Sequence, residues 1–128
     1  MHLDLVTPER QLLSEEVTSV NIPGMDGDMT LLGSHAPLVT TLRPGILSVT
    51  IGTDTTKYLV TGGFAEISPN GASILAESAV KHSDVTAELL ESTLKDAENA
   101  LETAPSEMKA AALQRVNDLG ELIKQQNG

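Results

Sequence analysis

The sequence predicts an α+β fold, in which an N-terminal antiparallel β-sandwich of about eight to ten short strands precedes a C-terminal antiparallel hairpin of two helices. Up to about residue 80, short runs rich in Val, Ile, Leu and Thr alternate with Gly, Pro, Asn and Asp, a pattern typical of strands and turns. After residue 82, Ala, Leu, Glu and Lys replace them, which favours helix. We therefore predict two domains, residues 1–82 and residues 83–128.

Period-two alternation identifies the strands, as where Leu3 and Leu5 alternate with His2 and Asp4. Turn signals recur at intervals of roughly eight to twelve residues, and no segment of helix length lies between them, which favours an antiparallel sandwich over a β-α-β fold. These signals are Pro23-Gly24, Asp26-Gly27, Pro44-Gly45, Gly52-Thr53-Asp54, Gly62-Gly63 and Pro69-Asn70-Gly71.

The helical segment divides at Pro105 into two arms of ~20 residues, each ~30 Å long. Ser83-Asp84 is the predicted N-cap of the first arm. Apolar residues recur at helical spacing on both arms, so that each has one narrow apolar stripe with which to pack against the other. The stripes are Leu90, Leu94, Ala97 and Leu101 on the first arm, and Ala112, Val116, Leu119 and Ile123 on the second.

Composition excludes several functions. The chain has 128 residues, with 8 Lys and Arg against 18 Asp and Glu, and its formal net charge of -10 opposes binding to nucleic acid or an anionic membrane. Cysteine is absent, which excludes disulfides, thiolate nucleophiles and thiolate metal sites. No run approaches the ~18 apolar residues of a membrane-spanning helix, and no signal peptide is evident, so we expect a cytoplasmic protein without lipid insertion.

The residues that could carry chemistry are not arranged for it. His2, His35 and His82 are scattered without the spacing of metal ligands. Ser34 and His35, with Asp28 nearby, are residue types of a hydrolytic triad, but no nucleophile elbow surrounds the serine. The sequence therefore predicts no enzyme, no catalytic residue, no metal site and no cofactor.

The stretch from Pro23 to Leu38 reads PGMDGDMTLLGSHAPL, and Leu42-Arg43-Pro44-Gly45 follows it. This stretch resembles the signature of the epsilon subunit family of bacterial F-type ATP synthase. Further matches are Val6-Thr7-Pro8-Glu9, the segment from Tyr58 to Ile67, and Ile74-Leu75-Ala76-Glu77-Ser78-Ala79. The resemblance covers the whole chain in order, including the final hairpin.

The resemblance implies a rotor subunit of the central stalk, which binds the gamma subunit and rests on the polar loops of the membrane c-ring. Such a subunit couples proton-driven rotation of the ring to ATP synthesis in the catalytic head, and performs no chemistry itself. It would lie at the cytoplasmic face of the bacterial inner membrane as a peripheral protein. The alpha and beta subunits of the head are possible partners of its C-terminal helices.

The resemblance also assigns roles to individual residues. Asp28 matches the family's acidic residue, usually Glu, that faces the ring, and Met29 lies beside it. His35, Ala36, Pro37 and Leu38 match the loop that binds gamma. Thr30 and Gly33-Ser34 depart from the family pattern, where Gly and Pro-Gly are common.

Nucleotide binding and strong inhibition are not expected. Some family members bind ATP through a motif of the type [IL]-D-x-x-R-A, but here Ala87 stands where the arginine would be, and the acidic Glu88 follows. Residues 83–128 carry four Lys and Arg against nine Asp and Glu, which opposes docking of extended helices on an acidic catalytic head. We expect at most weak regulation of ATP hydrolysis.

Two other functions remain open from the residues alone. One is a free-standing β-sandwich that binds a small ligand or hydrolyses one through Ser34 and His35. The other is a helical-hairpin adaptor unrelated to ATP synthase. Only the rotor interpretation requires the chain to purify with the synthase from solubilised membranes.

Overall fold

The computed structural model describes residues 1–33 and 36–127, with side chains up to Lys124. Residues Met1–Ser83 form one compact unit, which we call the sandwich unit. The residues from Asp84 onward form a second, which we call the hairpin unit.

The sandwich unit is built of short strands, as the alternation of apolar and turn residues predicts. The described residues form ten of them. They are β1 (His2–Val6), β2 (Gln11–Glu16), β3 (Ser19–Gly24), β4 (Gly27–Leu31), β5 (Leu38–Leu42), β6 (Gly45–Ile51), β7 (Asp54–Val60), β8 (Gly63–Ser68), β9 (Gly71–Ala76) and β10 (Ala79–Lys81).

Pairing connects the strands in the order β10-β7-β6-β3-β5-β8-β9-β1-β2, and β4 pairs with β3. The link between β3 and β5 is a single residue pair, Gly24 with Leu42. The strands therefore divide there into two layers of five. The first sheet is β4-β3-β6-β7-β10, and the second sheet is β5-β8-β9-β1-β2.

The core lies between the two sheets and is almost entirely aliphatic. Each sheet contributes every second residue of its strands, because successive side chains of a strand point to opposite faces. Burial of one Leu, Ile or Val side chain contributes roughly 1.5–3 kcal/mol, so this layer supplies most of the favourable free energy of folding. The largest fully buried side chains of this core are Leu3, Leu5, Val20, Ile22, Leu31, Leu47, Val60, Ile67 and Ile74.

One strand pair departs from the antiparallel prediction. β1 pairs with β9 in parallel, in a register that places His2 opposite Gly71 and Val6 opposite Leu75. Parallel neighbours need a long connection, and here the connection is most of the sandwich itself. Alternation within a segment predicts a strand but not its neighbour, so this pairing could not be derived from the sequence.

The predicted turn at Pro23-Gly24 is also wrong. Both residues belong to β3, and the reversal falls two residues later, at Met25 and Asp26, between the paired Gly24 and Gly27. Proline is accommodated because its missing N–H is not needed there, while its carbonyl oxygen accepts a hydrogen bond from the backbone N–H of Arg43 at 2.9 Å.

The hairpin unit consists of α1 (Ala87–Thr103) and α2 (Lys109–Asn127), with a short 3₁₀ turn between them. Pro105 begins that turn and ends the first arm, as predicted. Leu90, Ala97 and Leu119 of the predicted stripes are buried. Leu122 is buried as well and was missed, since the stripe on α2 is wider than the predicted spacing.

The predicted N-cap of the first helix is wrong. Ser83 and Asp84 lie in a separate 3₁₀ turn, His82–Asp84. Thr86 caps α1 instead, because its backbone is extended and its Oγ1 accepts a hydrogen bond from the backbone N–H of Leu89 at 3.1 Å.

Candidate functional site

The β3–β4 hairpin presents the residues assigned to the ring. Its two-residue turn, Met25-Asp26, is exposed, and β4 starts directly after it. Asp28 is exposed at the second position of β4, opposite Pro23, and Met29 is partly buried against the core. A short reversal between paired strands holds the Asp28 carboxylate at a fixed place near the tip.

Asp28 is not a lone charge. Its Oδ1 accepts a hydrogen bond from Nη2 of Arg43 at 3.2 Å, so the two side chains form an ion pair. Their side chains are 64% and 38% exposed, respectively. The sequence analysis quoted Arg43 only as part of the signature, because fifteen residues separate the partners and no local periodicity brings them together.

The main chain holds this corner of the sandwich together. Besides the hydrogen bond from Arg43 to Pro23, the backbone N–H of Met25 donates to the carbonyl oxygen of Thr41 at 2.9 Å. Between these two hydrogen bonds, Gly24 of β3 is the strand partner of Leu42 of β5. The turn after β5 is thereby fixed to the tip of the β3–β4 hairpin.

The outer face of the second sheet carries an apolar patch. Thr41, Phe64, Leu75 and Val6 are successive cross-strand neighbours on β5, β8, β9 and β1. Val39 lies two residues from Thr41 on the same face of β5. Val39, Phe64 and Leu75 are 68%, 50% and 40% exposed, and together with Val6 they form what we call the apolar face.

The first sheet is different on its outer side. There, Thr30, Asn21, Ser48 and Lys57 are successive cross-strand neighbours, and the Asn21 side-chain amide donates to Thr30 Oγ1 at 2.9 Å. This row is polar, whereas Ile46, Leu59 and Val80, which are cross-strand neighbours on the same outer side, are apolar, and Leu59 is buried. Exposed apolar side chains grouped on one sheet and not on the other indicate a protein-binding surface on the second sheet.

The residues assigned to gamma binding lie at the start of β5. Ala36 and Pro37 are exposed and irregular, and Leu38 is 37% exposed and paired with Ile67. His35 and Ser34 lie outside the described residues. The described part of the assigned loop therefore leads directly into the strand that carries Val39 of the apolar face.

A charged cluster stands at the other edge of the second sheet. His2 Nε2 lies 3.1 Å from Asp4 Oδ1 and 3.2 Å from Ser14 Oγ, while the N-terminal ammonium lies 3.5 Å from Glu16 Oε2. Hydrogen bonding from Ser14, and then from His2, holds the pKa of the Asp4 carboxyl below its ordinary value of 3.8. The cluster ties β1 to β2.

No group of three or more His, Asp or Glu side chains within residues 1–33 and 36–127 is placed to hold a metal ion. Burial and then the charge of Glu15 raise the pKa of Tyr58, which favours its neutral phenol.

Neither of the two described α-helices combines the length and hydropathy needed to cross a bilayer.

The hairpin unit has few cations to offer a partner. Lys109 Nζ donates to the carbonyl oxygen of Leu101 at 3.4 Å, so this ammonium supports the C-terminal end of α1. Lys95 and Lys124 are exposed, and Arg115 is partly buried. A shallow groove of about 430 Å³ between the helices is lined by residues including Leu94, Val116, Gly120 and Lys124.

The fold and its surfaces define a protein-binding subunit: a sandwich with one apolar face and a charged tip, followed by a helical hairpin. Comparison with known proteins gives its family. The family profile described as "ATP synthase, Delta/Epsilon chain, beta-sandwich domain" matches residues 1–82.

Two relatives and one solved structure extend the match beyond the sandwich. The ATP synthase epsilon chain of Jannaschia sp. (strain CCS1) is 46% identical over 119 residues, which cover 93% of this chain and 90% of the relative. That of Fuscovulum blasticum is 51% identical over 100 residues, 78% of this chain and 77% of the relative. A chain in the cryo-EM structure of the Tetrahymena thermophila mitochondrial ATP synthase central stalk and c-ring shares the fold at a TM-score of 0.74 and 15% identity, covering 100% of this chain and 96% of that one.

The chain belongs to the ATP synthase epsilon chain family. It is a non-catalytic stalk subunit of ATP synthase, so the predicted family and fold, and the expectation that the chain is not an enzyme, are confirmed. A free-standing ligand-binding sandwich and an unrelated helical adaptor are both excluded by this membership.

Proposed function

We propose that this subunit joins the gamma subunit to the c-ring in the rotor of a proton-translocating ATP synthase. In this proposal, gamma binds the apolar face together with His35, Ala36, Pro37 and Leu38, and the polar loops of the ring contact Asp28 and Met29. The sandwich transmits torque between them, at the cytoplasmic face of the bacterial inner membrane. The hairpin unit regulates ATP hydrolysis at most weakly.

The observation that carries the proposal is the apolar face. Phe64 is one of only two aromatic residues in the chain, and it stands half exposed between Thr41 and Leu75 on the outer face of the second sheet. Exposed aromatic side chains beside aliphatic neighbours are enriched at protein interfaces, where burial contributes about 25 cal/mol per Å² of apolar surface. Glu66 and Asp4 lie on the same face, so a complementary partner surface would be apolar with basic groups near it.

The geometry of β5 supports a mechanical link between the two contacts. The proposed gamma contact begins at Leu38 and extends along β5 to Thr41, the cross-strand neighbour of Phe64. Arg43, just beyond the end of the strand, touches Asp28 at the proposed ring contact. At about 3.4 Å per residue, roughly 17 Å of extended chain separates Leu38 from Arg43. Because β5 is paired along its whole length with β8, a load applied at one end reaches the other through a hydrogen-bonded ladder.

The proposed partners and the proposed weak regulation have separate support. The Tetrahymena chain of similar fold comes from an assembly described as central stalk and c-ring. The acidic hairpin unit supports weak regulation, because a net negative charge opposes docking on acidic surfaces of the head. The same charge balance disfavours nucleic acid as a partner.

The test is gamma binding by sandwich variants. Phe64→Glu places an unpaired carboxylate at the centre of the apolar face and should weaken binding to purified gamma at least about tenfold. Thr55→Glu, on the polar outer face of the first sheet, adds the same charge and should leave the affinity within about twofold of the parent. Equal affinities for the parent and Phe64→Glu would contradict the proposed gamma surface.

A further inference from the structure

We infer that Arg43 is a positioning residue that orients the Asp28 carboxylate toward a basic side chain of the partner. The inference rests on the proposed contact between Asp28 and the ring loops. It concerns a residue to which the family resemblance assigned no role.

The hydrogen bond between the two side chains fixes the direction of the carboxylate. Arg43 Nη2 occupies Oδ1 of Asp28 at 3.2 Å. Within residues 1–33 and 36–124, Arg43 is the one side chain that hydrogen-bonds to this carboxylate. Oδ2 is thereby left as the acceptor for a cation approaching from outside.

The backbone of Arg43 is anchored independently of its side chain. Its N–H donates to Pro23, and Pro23 is the cross-strand partner of Asp28. Gly45 packs against the same proline so closely that a Cβ on Gly45 would lie 2.8 Å from Pro23 Cβ. Arg43 and Asp28 therefore both project from main chain that is fixed to the same residue of β3.

Stability alone does not account for the pair. An ion pair with one partner 64% exposed contributes little to folding, because water screens the charges and both side chains lose rotamer freedom. Only four of the Lys and Arg residues lie in 1–82, and Arg43 is the one placed against Asp28. The Arg43 cation beside Asp28 makes the net charge of the hairpin tip less negative. A basic partner would therefore be selected by the direction of the free Asp28 oxygen and not by net charge alone.

Removal of each partner, singly and together, distinguishes positioning from an independent role. In purified synthase reconstituted into liposomes, Asp28→Asn should lower ATP-driven proton pumping per ATP hydrolysed by about fivefold, and Arg43→Gln by about two- to fivefold. In the Asp28→Asn background, Arg43→Gln should cost nothing further, because a positioning residue acts through the group it positions. Arg43→Lys keeps the charge and should recover part of the loss.

A charge swap separates recognition from an internal brace. Asp28→Arg combined with Arg43→Asp can restore the ion pair while it presents the opposite charge at the tip, so we expect pumping to remain impaired. Lys57→Gln removes a cation from the polar face of the first sheet and should leave pumping unchanged. Each preparation is first checked for the subunit content of the complex.

Three results would overturn the inference. Restored pumping in the swap variant would show that the pair serves only the internal structure. Additive losses in the double variant would show that Arg43 acts independently of Asp28. Unchanged pumping in Asp28→Asn would remove the proposed ring contact itself, and only this result counts against the proposed function as well.

Discussion

Gly71 lies directly opposite His2 in the parallel pair of β9 and β1, and the two main chains approach so closely that a Cβ on Gly71 would overlap the His2 carbonyl oxygen. The contact is between backbone atoms, which cannot move aside as the end of a flexible side chain can. A residue without a side chain is therefore required at this position if β1 is to keep its place in the second sheet.

Gly71→Ala should destabilise the sandwich unit by about 1–3 kcal/mol, since the added methyl group forces β1 and β9 apart. Urea unfolding at neutral pH provides the measurement. Ser73→Ala, an exposed position on the same strand, serves as the control and should change the free energy of unfolding by less than about 0.5 kcal/mol. Equal stability of the two variants would show that the strands separate without cost.

Gly120→Ala should stabilise the hairpin unit. Gly120 lies inside α2, and no atom that it would meet lies within 4 Å of a Cβ built there. Alanine costs about 0.8–1.0 kcal/mol less than glycine in a helix interior, so slower hydrogen exchange of the α2 amides is the expected result. Faster exchange would mean that the added methyl group disturbs the packing of the two helices.

Thr86→Ala should weaken the start of α1 by about 1 kcal/mol, because the backbone N–H of Leu89 loses its acceptor. Hydrogen exchange of the Leu89 amide reports this directly. Ser83→Ala provides the matched control and should leave that exchange rate unchanged, since Ser83 lies in the preceding 3₁₀ turn. The opposite pattern would restore Ser83-Asp84 as the cap.

Asp4 should make the sandwich unit sensitive to acid. Its folded-state pKa lies below the ordinary value of 3.8, so its contribution to stability is present at higher pH and is lost as the pH falls through the folded-state pKa. Asp4→Asn should therefore be less stable than the parent at neutral pH, and the difference should shrink as the pH falls below 3.8 and through the folded-state pKa. Urea midpoints of both proteins, measured from neutral to acid pH, check this, and a difference that stays constant would exclude Asp4 as its source.

Truncation after His82 should raise ATP hydrolysis by purified synthase less than about twofold, because the hairpin unit carries few of the cations that an acidic head would bind. Lys109 is moreover engaged by the end of α1. The core of the sandwich unit consists of its own residues, so the truncated subunit should remain folded and in the complex. A several-fold rise in hydrolysis would demonstrate strong inhibition.

Local pattern predicted much of this fold. Alternation and turn residues predicted eight to ten strands where the described residues form ten, and Pro105 predicted the break between the helices, because both signals act within a few residues. The cap at Thr86 was missed because Ser83 and Asp84 are equally good capping residues, and only the extended backbone at Thr86 decides between them.

The site was less accessible to prediction, since its geometry depends on contacts between distant segments. The family resemblance assigned Asp28 to the ring contact, and this assignment stays a prediction. The place of Arg43 beside Asp28 depends on the pairing of Gly24 with Leu42. The exposure of Phe64 was likewise invisible, because an aromatic residue in an apolar strand usually belongs to the core. Only the register of β8 between β5 and β9 turns its side chain outward.

The parallel pairing of β1 also constrains the order in which the chain can fold. The β3–β4 and β6–β7 hairpins of the first sheet join neighbouring segments, so each can form as soon as it is synthesised. β1 precedes the other nine strands of the sandwich in the chain, yet its second partner, β9, is the ninth to be synthesised. Until β9 is made, one edge of β1 stays open to pairing with other chains, and part of the core-facing side of the second sheet stays exposed. Completion of the sandwich unit is therefore a late event in its synthesis, because it requires closure of the long loop that joins β1 to β9.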